Sequence, residues 1–237
     1  MKVAIAHHNI NEMVEFPFLT EEMIPENTRF YDGKQLCNFF TIDTLVPDVQ
    51  RGELHVSSSP KYNLFAEDKT ADQVNHSIVV ILESPHKDEY GPNFTPIAPA
   101  KGATGRQINE KHLGRILQHP SVDMTHGTYP VVLANPVQWQ TSLHEILGKS
   151  SNTQLKADVW SALWQRPYIQ QDFYTRLAGY NPVCVINACT GANGKNSLNK
   201  QIQAFLNDKG FSSVRAYHPS SWDRHQHKMY GLDSLKP

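Results

Sequence analysis

From Asn75 onward the apolar positions fall into four short runs, separated by longer stretches with helical spacing. The first run, Ile78-Val79-Val80-Ile81-Leu82, is β-branched and continuous rather than alternating. That pattern predicts a strand buried on both faces, as in the interior of a parallel sheet. It stops at Glu83-Ser84-Pro85-His86, because proline cannot donate to a ladder. The second run, Pro130–Ala134, ends at Asn135-Pro136. The third, Pro182–Asn187, is closed by a turn over 190–194, and the fourth, Phe211–Tyr217, ends at His218-Pro219-Ser220-Ser221-Trp222. Between them, Gly105–His119 carries Ile108, Leu113, Ile116 and Leu117 near one helical face. Helices are also predicted over 141–147, 154–165 and 169–177. Ser197–Asp208 is amphipathic through Leu198, Ile202, Phe205 and Leu206, with Gly210 as its C-terminal cap residue.

Strands alternating with helices predict an α/β fold: three α/β/α layers around a mostly parallel four-stranded central sheet. Three of the four strands end in a polar residue beside a proline. In such sheets the carboxyl edge is where ligands bind. Residues 1–72 are less regular. They hold a helix candidate at 20–24 ended by Pro25, an aromatic-rich segment over 34–44 that fits helix or strand, and a loop at Ser57-Ser58-Ser59-Pro60. The expected organisation is an N-terminal extension, 1–72, packed on an α/β domain, 73–237.

Composition narrows the class. The 237 residues are 39% hydrophobic and 19% charged, as in an ordinary soluble protein. No apolar run approaches the roughly 20 residues of a membrane helix, and the run in MKVAIAHHNINEM is too short for a signal peptide. Three cysteines without a C-x-x-C argue against a disulfide framework or a zinc ribbon, so a reducing cytoplasm is expected. His225 and His227 have H-x-H spacing, but no metal site is expected there. The net charge of −1 does not mark a polyanion binder. Its distribution is uneven, however. Residues 1–72 carry 12 acidic and 6 basic side chains, whereas 199–237 carry 6 basic and 3 acidic. That leaves room for a basic patch near one end of the sheet.

The order strand–Glu83-Ser84-Pro85, strand–Asn135-Pro136, strand, strand–His218-Pro219-Ser220-Ser221-Trp222 resembles the uracil-DNA glycosylase superfamily. Within it, the chain is most similar to the branch whose first motif reads Gly-Glu-Ala-Pro, with Leu82-Glu83-Ser84-Pro85 in that place. Gly102-Ala103-Thr104-Gly105-Arg106-Gln107-Ile108 resembles the glycine-containing start of the next helix, and His218-Pro219-Ser220 the second signature. The resemblance spans about two thirds of the chain, from Ser77 to His225. It implies hydrolysis of the base–sugar bond of uracil or a bulkier base in DNA, without a metal or other cofactor. The branch often carries an iron–sulfur cluster on four cysteines, which three cannot supply. Ser84 stands where the best-known glycosylases have an aspartate. Where the branch stacks an aromatic on the base, the chain reads Ala98-Pro99-Ala100-Lys101, with Phe94 the nearest upstream aromatic. A roomier pocket is expected.

The residue types suit this chemistry. The sugar becomes oxocarbenium-like and the base leaves with negative charge. A carboxylate stabilises the cation and orients water; a histidine donates to the departing base; an asparagine reads a base edge with one donor and one acceptor. The base must first be flipped out of a duplex. The resemblance gives these roles to Glu83, His218 and Asn135, with Ser84, Pro85, His86 and Phe94 lining the substrate. Ser220, Ser221, Trp222 and Arg224 are the expected DNA contacts, Trp222 as a wedge in the gap left by the base. Plainer readings exist. Glu83 could pair with a nearby cation, Asn135 could start a turn, His218 could brace its loop, and Trp222 could be buried. Lys87-Asp88-Glu89 reads as a solvated charge run, and Cys184 and Cys189 as buried thiols. Two other functions fit the same fold: a non-catalytic DNA- or nucleotide-binding protein, and a hydrolase of free nucleosides. Convergence of Glu83, Asn135 and His218 on one site would separate them.

Overall fold

The computed structural model describes residues 2–7, 10–15, 44–51, 75–86, 89, 100, 103–108, 112–125, 127–138, 141, 153–190, 197–226 and 232. Among the described residues seven strands are present: β1 Lys2–His7, β2 Ile10–Glu15, β3 Thr44–Arg51, β4 Ile78–Ile81, β5 Gly127–Ala134, β6 Cys184–Asn187 and β7 Ser213–Arg215. The helices are α1 Ala103–Gln107, α2 Leu113–Leu117, α3 Thr153–Trp164, α4 Pro167–Gly179, α5 Leu198–Asp208 and α6 Trp222–His225. A 3-10 turn, Pro219–Ser221, precedes α6.

The central sheet has the order β3-β5-β4-β6-β7. Strands β5, β4, β6 and β7 are mutually parallel, as the alternating pattern predicts. The fifth strand, β3, comes from the N-terminal portion and pairs antiparallel with β5 at the edge. It carries Pro47, and its register shifts between Val46 and Val49. Proline is tolerated at a sheet edge and in a bulge for want of an N–H. Pro130 lies within β5 opposite that shift, just before β5 begins to pair with β4 at Val131. Strands β1 and β2 form a separate antiparallel pair, which the hydrophobic pattern does not reveal. The helix candidates at 20–24 and 141–147, the loop at 57–60, and all of 34–44 except Thr44 lie outside the described residues, apart from Thr141.

Strand β4 is the spine of the core. Val79 and Ile81 pack into one apolar cluster with Trp160, Leu163, Phe173, Leu177, Ile202 and Phe205 from α3, α4 and α5. Ile78, Val80 and Leu82 pack into a second with Ile108, Leu113, Ile116, Leu117 and Trp222. Successive side chains of a strand alternate sides, so an unbroken apolar run is what a sheet covered by helices on both faces requires.

The helix expected over 105–119 is found as α1 and α2, with Ile108 and His112 between them in the wider π form. At 3.6 residues per turn, Ile108 and Leu113 would sit about 140° apart; a widened turn brings positions five apart onto one face. Both are buried in the same cluster. Helix α5 is capped at both ends. Ser197 Oγ accepts from Lys200 N–H. At the other end Gly210, at φ 75°, lets Phe211 N–H reach the Leu206 carbonyl at 2.9 Å and Gly210 N–H reach Asn207 at 3.2 Å.

Candidate functional site

The carboxyl ends of β4, β6 and β7 bring three side chains together. Glu83, two residues beyond β4, is only 3% exposed. The hydroxyl of Thr190, three residues beyond β6, donates to Glu83 Oε1. His218, three residues beyond β7, places Nε2 3.8 Å from the same oxygen. That distance exceeds a hydrogen bond, so the two groups face one another as neighbours across a narrow gap.

The backbone of Glu83 is held as firmly as its side chain. Its carbonyl accepts from Trp160 Nε1–H at 2.9 Å and from Val137 N–H at 3.4 Å. Trp160 lies in α3, fully buried and stacked on Trp164 at 5.5 Å between ring centroids. The acid is thus seated on the hydrophobic core. Just before it, the Leu82 N–H donates to the Ala134 carbonyl at 2.9 Å, and the Cys189 thiol donates to the Leu82 carbonyl.

The ring of His218 is fixed by the turn that follows it. Ser220 N–H donates to Nδ1 at 3.3 Å, and Ser220 Oγ lies 2.9 Å from the same atom. A backbone N–H can only donate, so Nδ1 is the acceptor and the imidazole proton is on Nε2, the nitrogen facing Glu83. Ser221 Oγ donates to the His218 carbonyl at 2.9 Å. The Pro-Ser-Ser sequence after the histidine therefore orients it. The hydroxyls of Ser220 and Ser221, expected on DNA, are engaged in this bracing.

The remaining candidates divide. Ser84 Oγ is 2.7 Å from Thr141 Oγ1, which ties the loop after β4 to the loop after β5, and Pro85 is buried beside it. Asn135 lies at the same edge, one strand over from Glu83. Its side chain is buried and its carbonyl accepts from Arg176 Nη2 at 3.1 Å. His86 is partly exposed. Its N–H donates to Glu89 Oε2 at 3.2 Å, while Ala100 N–H donates to Glu89 Oε1 at 2.7 Å. Glu89 is therefore no part of a solvated charge run: it is 5% exposed and ties the backbone at His86 to the backbone at Ala100. Ala100 belongs to the apolar core beneath the sheet edge. Phe94 lies outside the described residues.

Trp222 requires a correction. It is 0% exposed, packs in the cluster with Ile108 and Leu113, and donates Nε1–H to the Tyr217 carbonyl at 2.7 Å. It anchors the His218 loop from below and cannot enter a duplex. Arg224 is exposed, near Asp223 at 3.9 Å. Among the described residues, the large apolar side chain that does reach the surface is Tyr217, adjacent to His218 and 4.5 Å from the His225 ring.

Sequence reasoning missed Thr190, Thr141 and Trp160. Thr190 sits at a strand end like the residues that were singled out, but has no proline beside it. Among the described residues, no three His, Cys, Asp or Glu side chains group as a metal ion would need. No helix among them is long and apolar enough to cross a membrane. Comparison with known proteins returns no matching family model, no matching curated protein and no matching solved structure.

Proposed function

We propose that the chain is a hydrolase of the N-glycosidic bond between a base and its sugar, acting on DNA. The observation that carries the reading is the pairing of Glu83 with His218. The two residues come from different strands, are far apart in sequence, and meet at 3.8 Å on the carboxyl edge of a parallel sheet. Each is held by its own supports. On this reading Glu83 remains anionic under the sugar, stabilises the positive charge that develops there, and orients the attacking water. His218, with its proton on Nε2, donates toward the base as negative charge accumulates on it. Donors already aimed at developing charge need no reorganisation during the reaction. Thr190 keeps the carboxylate turned toward the histidine. Tyr217 offers a ring on which a neighbouring base can stack, and Asn135 and Ser84 border the site.

The test is a panel of oligonucleotides carrying different modified bases, scored for abasic sites with the wild type and with Glu83→Gln. The expected loss for the variant is about 100-fold or more in rate, with binding to the oligonucleotides little changed. A variant that retains wild-type excision removes Glu83 from the mechanism. The burial of Trp222 favours a second reading in one respect: without that wedge, single-stranded DNA or a free nucleoside is easier to accommodate than a duplex. Nucleosides in the same assay separate these substrates.

A further inference from the structure

A second polar cluster lies beside the glycosylase-like centre and takes no part in it. Asn187, at the end of β6, and Asn199, in the first turn of α5, are both buried. Asn187 Nδ2 donates to the Asn199 carbonyl at 3.0 Å, and Asn187 Oδ1 accepts from Cys189 N–H at 3.4 Å. Asn199 Nδ2 donates to the Cys189 carbonyl at 3.1 Å and to the Asn187 carbonyl at 3.3 Å. Backbone N–H groups only donate and carbonyls only accept, so the orientation of both amides is settled. Asn199 Oδ1 is left pointing at Arg215, whose Nε–H it accepts at 2.6 Å.

Arg215 is the last residue of β7 and lies level with Asn187 and Ile81 across the sheet. Among the described residues its partner is this neutral amide: no carboxylate pairs with it, and its two terminal nitrogens make no hydrogen bond. Burial lowers its pKa below the ordinary guanidinium value, the mark of a charge partly removed from water without compensation. An arginine stays protonated all the same. A network that holds Nε on one side of a guanidinium and leaves its two terminal nitrogens without a hydrogen bond among the described residues fits a planar fork presented to a phosphate or carboxylate.

We infer that Arg215 binds a phosphate of the substrate, a phosphodiester of the strand that carries the target nucleotide. The identity of that strand rests on the function proposed above. Neighbouring strands are about 4.8 Å apart and each residue advances about 3.3 Å. Arg215 is two strands from β4 and two residues below the level of Glu83, so the two Cα atoms are separated by about 12 Å. A phosphate held there lies within a few nucleotides of the base in the site.

The experiment measures binding of a short fluorescent single-stranded oligonucleotide over a range of NaCl concentrations, with a nucleoside 5′-monophosphate and its parent nucleoside as small probes. Arg215→Gln is the informative variant: its amide nitrogen falls where Nε was, so the donor to Asn199 is retained while the charge and both free nitrogens are lost. The oligonucleotide is expected to bind about five- to tenfold more weakly whatever its sequence, and the log–log salt slope to fall by about 0.7, one phosphate contact on a single strand. Lys209→Gln removes the same charge at the far end of α5 and should leave the slope at the wild-type value. Arg215→Lys should keep most of the slope while losing affinity, and it supplies the answer if the glutamine variant folds poorly. A loss confined to the oligonucleotide supports a neighbouring phosphodiester; an equal loss for the monophosphate relative to its nucleoside assigns the phosphate to the bound nucleotide itself. If the wild type binds and Arg215→Gln binds with the same slope and affinity, this inference alone is overturned. A wild type that binds none of the probes overturns it together with the nucleic-acid reading.

Discussion

Thr190→Val is the sharpest probe of the acid. Valine has nearly the shape of threonine but cannot donate, so the substitution deletes one hydrogen bond to Glu83 Oε1 and little else. Hydrogen bonds to charged groups contribute roughly 1.5–3 kcal/mol. Glu83 is almost completely buried, so water is poorly placed to replace the lost donor and the full range applies. For a chain of this size each kcal/mol moves the melting temperature by about 2–4 °C. The expected drop is therefore about 3–12 °C by calorimetry or circular dichroism. Thr190→Ser, which keeps the hydroxyl, should fall much less. A double-mutant cycle isolates the contact: in a Glu83→Met background the carboxylate is gone, and Thr190→Val should then cost almost nothing, leaving a coupling of at least about 1 kcal/mol. If the proposed function holds, excision by Thr190→Val should slow about 10- to 100-fold through a misaligned carboxylate. A zero coupling energy would show that the hydroxyl does not support Glu83, whatever the substrate proves to be.

Two further substitutions test how the elements are held. Trp222→Ala removes a fully buried indole from the core and should cost about 3–5 kcal/mol; under the proposed function any loss of excision should be the same on single- and double-stranded substrates, and near-wild-type stability with a duplex-selective defect would restore the wedge. Gly210→Ala meets no atom within 4 Å, so its cost comes from the left-handed backbone alone, about 1–2 kcal/mol, read as a melting temperature a few degrees lower; an unchanged value would mean that the cap tolerates a side chain.

The parts of the fold that were legible are those written in local chemistry. The run 78–82 is uninterrupted because both faces of β4 are covered, and Pro85, Pro136 and Pro219 mark the strand ends because proline cannot continue a ladder. That is also why Glu83 and His218 could be picked out before their contact was visible. What was not legible depends on closure between distant segments. Glu89 looks solvated beside Lys87 and Asp88, and becomes a buried staple only when the backbone at Ala100 folds back onto it. Trp222 follows a polar turn, where a surface wedge and a buried anchor have the same local sequence. The pairing of β3 with β5 leaves no local trace, since Thr44–Arg51 holds a proline and alternates poorly. The π form of Ile108 and His112 shows only as an out-of-phase spacing from Ile108 to Leu113.

The position of β3 also constrains how the molecule can assemble. Its partner strand lies some 80 residues further along the chain, with Thr44 opposite Leu133 and Arg51 opposite Gly127, and β4 comes between them in sequence but not in the sheet. During synthesis β3 emerges well before the edge it will occupy exists, because β5 must first be made and laid against β4. Closing so long a loop costs entropy before the pairing returns it, which makes such topologies slow to fold. Until then the free edge of β5 and the waiting segment are each open to pairing with another chain. Completion of the sheet on that side should therefore be a late event in folding, and the step at which this protein is most exposed to mispairing.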